Sequence, residues 1–130
     1  MATVLLRADA GPEVGIGHVM RCITLGGALT AAGARTVLLS APLPDSLGER
    51  ARASGLTVAH TDPQEQDLAS IEKHGPDFVM VDGYHLGGLV EDLTASPTRF
   101  GVIDDNNELP TGHADLVLNQ NLHAAPTLYP

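Results

Sequence analysis

Residues 3–21 read Thr-Val-Leu-Leu-Arg-Ala-Asp-Ala-Gly-Pro-Glu-Val-Gly-Ile-Gly-His-Val-Met-Arg. A short apolar run ends at Asp9, Gly11, Gly15 and Gly17 allow a tight loop, and a helical pattern begins at once. Strand, glycine loop and helix start form a unit whose amide N–H groups point outward unpaired and favour an anionic ligand. His18 and Arg21 fall on the first helical turn of that unit.

Outward from this stretch, short β-branched or Leu-rich runs alternate with helical ones. Strands are expected at 3–8, 35–40, 56–59, 77–82, 99–104 and 115–118. Helices are expected at 17–32, 44–54, from about Asp62 to His74, and at 86–95. Gly33, Gly55 and Gly75-Pro76 stop the first three. In the first helix Gly26, Gly27, Ala28, Ala31 and Ala32 carry little side chain, which predicts close packing on a sheet. The run Asp77–Asp82 is apolar on both faces, as a central strand requires. Alternation of this kind predicts right-handed crossovers and a parallel sheet. The expected fold is a three-layer, Rossmann-like α/β domain over residues 1–122, with strand order 3-2-1-4-5-6. Residues 123–130 hold two prolines and no periodicity, and read as a linker.

Composition narrows the functions. The 130 residues are 43% hydrophobic but 3% aromatic, so aliphatic side chains must build the core. A net charge of -9 argues against a nucleic-acid binder, which needs a basic face. The single cysteine, Cys22, forms no intramolecular disulfide and reads as a small buried hydrophobe in a reducing compartment. No signal-peptide pattern and no long apolar stretch is present, which gives a cytoplasmic, membrane-free expectation.

In open α/β sheets ligands bind beyond the carboxyl ends of the strands, at the switch point between strands 1 and 4. Asp9, Ser40, Asp82, Asp104, Asp105, Asn119 and Asn121 end strands there, and Tyr84 and His85 follow strand 4. A dinucleotide fingerprint fails, because Met20 stands where Gly or Ala is needed and Ser40 where an acidic residue would hold a ribose. A Walker loop fails as well, so no NAD or ATP cofactor is expected.

His18, next to a Gly-x-Gly loop, suits general-base activation of water or a sugar hydroxyl; the plainer alternative is a polar residue bonding its own loop. Arg21 would meet a phosphate or carboxylate, or else pair with Asp9 or Glu13. Asp9 would orient His18 or a substrate hydroxyl, or bond loop amides. Tyr84 would contact a sugar or pack its loop. Asp82, Asp104 and Asp105 could hold Mg2+, but strand-end aspartates commonly cap the next turn, and that reading is preferred. His60, His74, His113 and His123 lack ligand spacing and read as surface residues.

The motifs Arg7-x-Asp9, Gly15-Ile-Gly-His18-Val-Met-Arg21-Cys, Val81-Asp-Gly-Tyr84-x-Leu86, Ile103-Asp-Asp105 and Ala114-Asp-Leu-Val-Leu-Asn119-Gln-Asn121 occur in order. Together they resemble the UDP-sugar hydrolases of the pseudaminic acid pathway and their spore-coat polysaccharide relatives, within the GT-B glycosyltransferase superfamily. The resemblance implies a metal-independent, inverting release of UDP from a UDP-2,4-diacetamido-2,4,6-trideoxyhexose, with His18 activating the water. It implies substrate contacts from Gly15, Ile16, Gly17 and Tyr84, with Asp9, Arg21, Asp104, Asp105 and Asn119 shaping the pocket. It also implies a second Rossmann-like domain beyond residue 130 carrying most UDP contacts. The 130 residues alone are therefore expected to be inactive and weakly self-associating. Gly83 departs from the family pattern and would alter sugar preference. A GT-B glycosyltransferase acting on an acceptor hydroxyl, and a non-catalytic nucleotide-sugar binding module, remain the alternatives.

Overall fold

A computed structural model describes residues 1–11, 15–103 and 114–118, apart from the side chain of Tyr84. Its elements run β1 (Thr3–Ala8), α1 (Gly17–Ala31), β2 (Arg35–Ser40), α2 (Asp45–Ala53), β3 (Thr57–His60), α3 (Asp67–Glu72), β4 (Phe78–Asp82), a 3₁₀ turn (Tyr84–Leu86), α4 (Gly87–Thr94), β5 (Phe100–Ile103) and β6 (Leu116–Leu118). The six strands form one sheet in the order β3-β2-β1-β4-β5-β6, and every pairing is parallel. This is the doubly wound architecture that the alternating pattern predicts. Parallel strands need crossovers, and the helices supply them on both faces of the sheet.

Side-chain alternation divides the core in two. Leu5, Val37, Leu39, Val79, Val81 and Val102 face α3 and α4. Leu6, Ala8, Leu38, Met80 and Ile103 face α1 and α2. Helix α1 buries Val19, Cys22, Ile23 and Gly26. Of the small residues in α1, Gly26 sets the approach: a Cβ there would lie 2.6 Å from Leu56 Cδ2 and 3.0 Å from Leu6 Cδ1. At Gly27 the nearest atom would be 3.7 Å away, so the second glycine is not needed for packing.

Two expected elements come out differently. The helix expected from Asp62 begins only at Asp67, because Asp62 builds a turn instead. Its carboxylate accepts the Gln64 amide at 2.8 Å and its carbonyl the Glu65 amide at 3.0 Å. A short polar side chain that bonds forward to the backbone competes with helix in this way. The helix expected at 86–95 is preceded by the 3₁₀ turn, and Gly83 enters that turn at φ 142°, a region L side chains rarely adopt. The expected linker at 123–130 lies outside the described residues.

Candidate functional site

The carboxyl ends of β1 and β4 lie side by side, with Ala8 paired to Asp82. Each strand end carries an aspartate, and each aspartate is bonded by a histidine from the segment that follows the other strand. Between them the two ends hold a pair of Arg–Asp–His triplets on opposite faces of the sheet.

The first triplet lies on the α1 face. Asp82 shares its side of β4 with Met80 and is fully buried. Its Oδ1 takes His18 Nδ1 at 2.7 Å, and Arg21 grips both oxygens, with Nε 2.5 Å from Oδ2 and Nη2 2.5 Å from Oδ1. A carboxylate is acceptor-only, so His18 donates from Nδ1. Because both donors converge on Oδ1, Arg21 Nη2 comes within 3.2 Å of His18 Nδ1. The helix makes this convergence possible: positions 18, 21 and 22 stack on one face at i, i+3 and i+4. Cys22 completes the cluster, its Sγ 3.8 Å from Asp82 Oδ2. Burial, then the Asp82 charge, push the Cys22 thiol well above its ordinary range. It is a protonated core group, as its helix position predicts, and not a nucleophile.

The loop leading into α1 is pinched shut at its base. Gly11 and Gly15 exchange two backbone bonds, at 3.1 and 2.7 Å, with Gly15 at φ 70°. Ile16 then occupies the N-cap position, where it offers no side-chain cap, and α1 has no acidic residue in its first turn. Gly15, Ile16 and Gly17 are all exposed at this entrance. His18 follows one residue further on, at the start of α1.

The second triplet centres on Asp9. Arg7, buried on the α3/α4 face, donates from Nη1 to Asp9 Oδ1 at 2.6 Å and from Nε to Asp67 Oδ1 at 3.0 Å. The Ala41 amide adds a bond of 2.8 Å to the same Oδ1, and His85 Nε2 lies 2.8 Å from Oδ2. Burial opposes the charge of Asp9, but the bonds from Arg7, Ala41 and His85 outweigh it and hold its pKa at about 2. The carboxylate ties together the ends of β1, β2 and β4. Gly83 is needed for this seat, since a Cβ there would lie 2.6 Å from His85 Cε1.

Several sequence expectations change here. Arg21 pairs with Asp82 and not with Asp9; Glu13 lies outside the described residues. Asp82 caps no turn, because both its oxygens are spent on His18 and Arg21. His85, placed at this edge by the sequence but given no role there, carries a contact to Asp9. Tyr84 opens the 3₁₀ turn at the same edge, but its side chain, together with Asp104, Asp105 and Asn119, is outside the described residues. His60 is exposed and bonds the Ser40 carbonyl at 3.3 Å, while His74 is half-buried; His113 and His123 are not described. Among the described residues no group of three or more His, Cys, Asp or Glu side chains is placed to hold a metal ion. An apolar hollow of about 360 Å³ adjoins Arg21, lined also by Thr24, Leu25, Ala28, Ile103 and Leu118. No described helix is long and apolar enough to cross a membrane.

No protein-family model and no curated protein matches the sequence. Solved structures do match the fold. MurG of Acinetobacter baumannii superposes with a TM-score of 0.66 at 16% identity, over 100% of this chain and 43% of MurG. The match covers one doubly wound, Rossmann-like α/β unit within MurG's length. The glycotransferase of kitacinnamycin matches at 0.51 and 15% identity, over 78% of this chain and 30% of its own. BdcA, solved in complex with NADPH, matches at 0.52 and 19% identity, over 82% of this chain and 52% of its own. The chain thus spans less than two thirds of each of these proteins. Identities this low speak for fold alone, and the BdcA match shows that the same fold serves an NADPH-binding protein. The site residues must choose between ligands. Ser40, at the strand end where the sequence lacks an acidic residue for a ribose, is fully buried, and its hydroxyl has no hydrogen-bond partner among the described residues.

Proposed function

We propose that this chain is the acceptor-side half of a GT-B-type enzyme that acts on a nucleotide sugar, with His18 as the general base. The observation that carries this reading is the His18–Asp82–Arg21 triplet at the mouth of the glycine loop. Asp82 fixes the Nδ1–H tautomer, which orients the ring and directs its basic Nε2 away from the buried carboxylate. His18 then takes the proton of an attacking hydroxyl while a bond forms from that oxygen to the anomeric carbon. The bond from the anomeric carbon to the phosphate oxygen breaks, and its electron pair leaves on the diphosphate. Base assistance of this kind typically contributes about 10²–10⁴-fold. Gly15–Gly17 let the backbone approach the sugar, and Tyr84, Asp104, Asp105 and Asn119 complete the pocket. Asp9 acts through His85 rather than on substrate, since its oxygens are engaged by protein groups.

The leaving-group contacts belong, in this proposal, to a second α/β domain; this chain spans less than half of MurG. The kitacinnamycin glycotransferase among the structural neighbours favours an acceptor hydroxyl as nucleophile. The motif resemblance favours water, with release of UDP from a UDP-2,4-diacetamido-2,4,6-trideoxyhexose. A panel of UDP-sugars, assayed with the two-domain enzyme with and without acceptor glycosides, separates these. His18→Gln is expected to lower kcat by about 100-fold or more for either nucleophile. The 130 residues alone are expected to release no UDP. Unchanged kcat in His18→Gln would refute the base, and UDP-sugar binding without turnover would leave a binding module.

A further inference from the structure

A hollow of about 500 Å³ lies on the α3/α4 face of the sheet, and none of His18, Arg21 and Asp82 lines it. Asp62, Glu65 and Gln66 from the segment after β3 border it, with Asp67 of α3, Asp92 of α4 and Arg7 of β1. Its volume is in the range of small-molecule sites, and the buried Leu89 gives it an apolar wall.

Arg7 makes this more than a gap among acids. Its side chain is only 5% exposed. Nε bonds Asp67, and Nη1 bonds Asp9 and the Ala8 carbonyl, so its side-chain bonds fall on two of its three nitrogens. Nη2 takes none of them. Nor is it sealed in: among the described residues Ser40 Oγ is the one buried side-chain N or O atom that lacks a partner. A guanidinium nitrogen with two hydrogens, held in place by its neighbours, is left to an acceptor in the hollow.

Acceptors lie close by. Asp67 spends Oδ1 on Arg7, and its Oδ2 is bonded by no other described residue. The side chains of Asp92 and Gln66 are exposed and likewise unengaged among the described residues. Charge then narrows the ligand. Arg7 is matched by Asp9 and Asp67, and Glu65 by Lys73, so Asp62 and Asp92 leave the hollow negative. A phosphate is repelled there. The acids are not gathered for a metal ion either. The ligand must give hydrogens to carboxylates while offering an oxygen to Arg7. A hydroxyl group does both, and neighbouring hydroxyls do so with the planar, two-pronged groups present here.

We infer that this hollow binds an uncharged sugar, whose adjacent hydroxyls bridge Arg7 Nη2 and the carboxylates of Asp67 and Asp92, with Gln66 meeting a further polar group. It is a second ligand site, on the face of the sheet opposite His18, and it stands whether or not His18 is a base.

Two-dimensional ¹H–¹⁵N NMR of the 130-residue chain reads the site through Arg7 Nε–H, the Gln66 side-chain amide and the backbone amides of 61–67. The probes are the methyl glycosides of glucose, galactose, mannose and N-acetylglucosamine. At least one is expected to move these resonances saturably at millimolar concentration, leaving the Gly17 and His18 amides in place. Asp92→Asn and Gln66→Ala, both at exposed positions, are each expected to weaken that glycoside about fivefold or more. Unchanged affinity in either variant overturns the inference. So do glycosides that move none of these resonances, or only those of the glycine loop. Inorganic pyrophosphate, Mg2+ or putrescine moving them where the glycosides do not would make this an anion, metal or amine site, and overturns it equally.

Discussion

The two Arg–Asp–His triplets differ most in how deeply their charge is buried. Asp82 has no exposed surface and is bonded by His18, Arg21 and Cys22 of a single helix. Asp9 has a side chain 14% exposed, and its contacts come from three parts of the chain: Arg7, Ala41 and His85. The first is a local clamp closed by α1 on β4, and the second a junction joining strand ends. Losing a partner from the clamp strands a charge where water cannot reach it. Losing one from the junction leaves other donors, and solvent, in place.

Arg21→Leu breaks the clamp and should cost about 3–5 kcal/mol, the usual penalty for leaving a buried carboxylate uncompensated. Arg7→Leu should cost less, about 2–3 kcal/mol, since Asp9 and the 30%-exposed Asp67 can turn to water and Asp9 keeps two donors. Urea denaturation of the two variants compares them directly, and an equal or reversed order would erase the distinction.

Acid separates the triplets further. Asp9 has a folded pKa of about 2 against an ordinary value of 3.8, so the folded state binds its proton less readily than the unfolded chain. Its contribution of about 2 kcal/mol is full above about pH 4 and is lost as pH falls through about 2. Asp9→Asn should flatten the stability profile over that window, and an unchanged slope in the variant would show that Asp9 is not the group responsible.

Gly83→Ala tests the junction from its other side. It places a Cβ at φ 142° and 2.6 Å from His85 Cε1, and should cost about 1–3 kcal/mol while moving the ring off Asp9. The His18 resonances should stay put. If both rings move together, the two triplets form one unit and the comparison fails.

The chemistry of the α1 entrance was legible early. Glycines at 11, 15 and 17 between an apolar run and a helical one fix the loop, and His18 and Arg21 share a helix face by spacing alone. The sequence could not tell which acid they meet, because Asp9 and Asp82 both end strands beside them. Asp9 is nearer along the chain, yet α1 packs on the face to which Asp82 points and Arg7 does not. His85 was placed at this edge, but its partner was not legible. Its partner lies 76 positions earlier, and its seat depends on a positive φ at Gly83 that one sequence does not reveal.

Alternation of strand and helix patterns determined the parallel sheet and its order, since parallel neighbours require crossovers of one hand and only a few windings satisfy that rule. Element ends were decided elsewhere: Asp62 bonds forward and delays α3, a competition that a periodicity of apolar residues does not register. Tertiary structure alone decided the pairing of charges. Ion pairs are chosen by which carboxylate remains buried beside a given donor, and burial is a property of the assembled layers rather than of any segment.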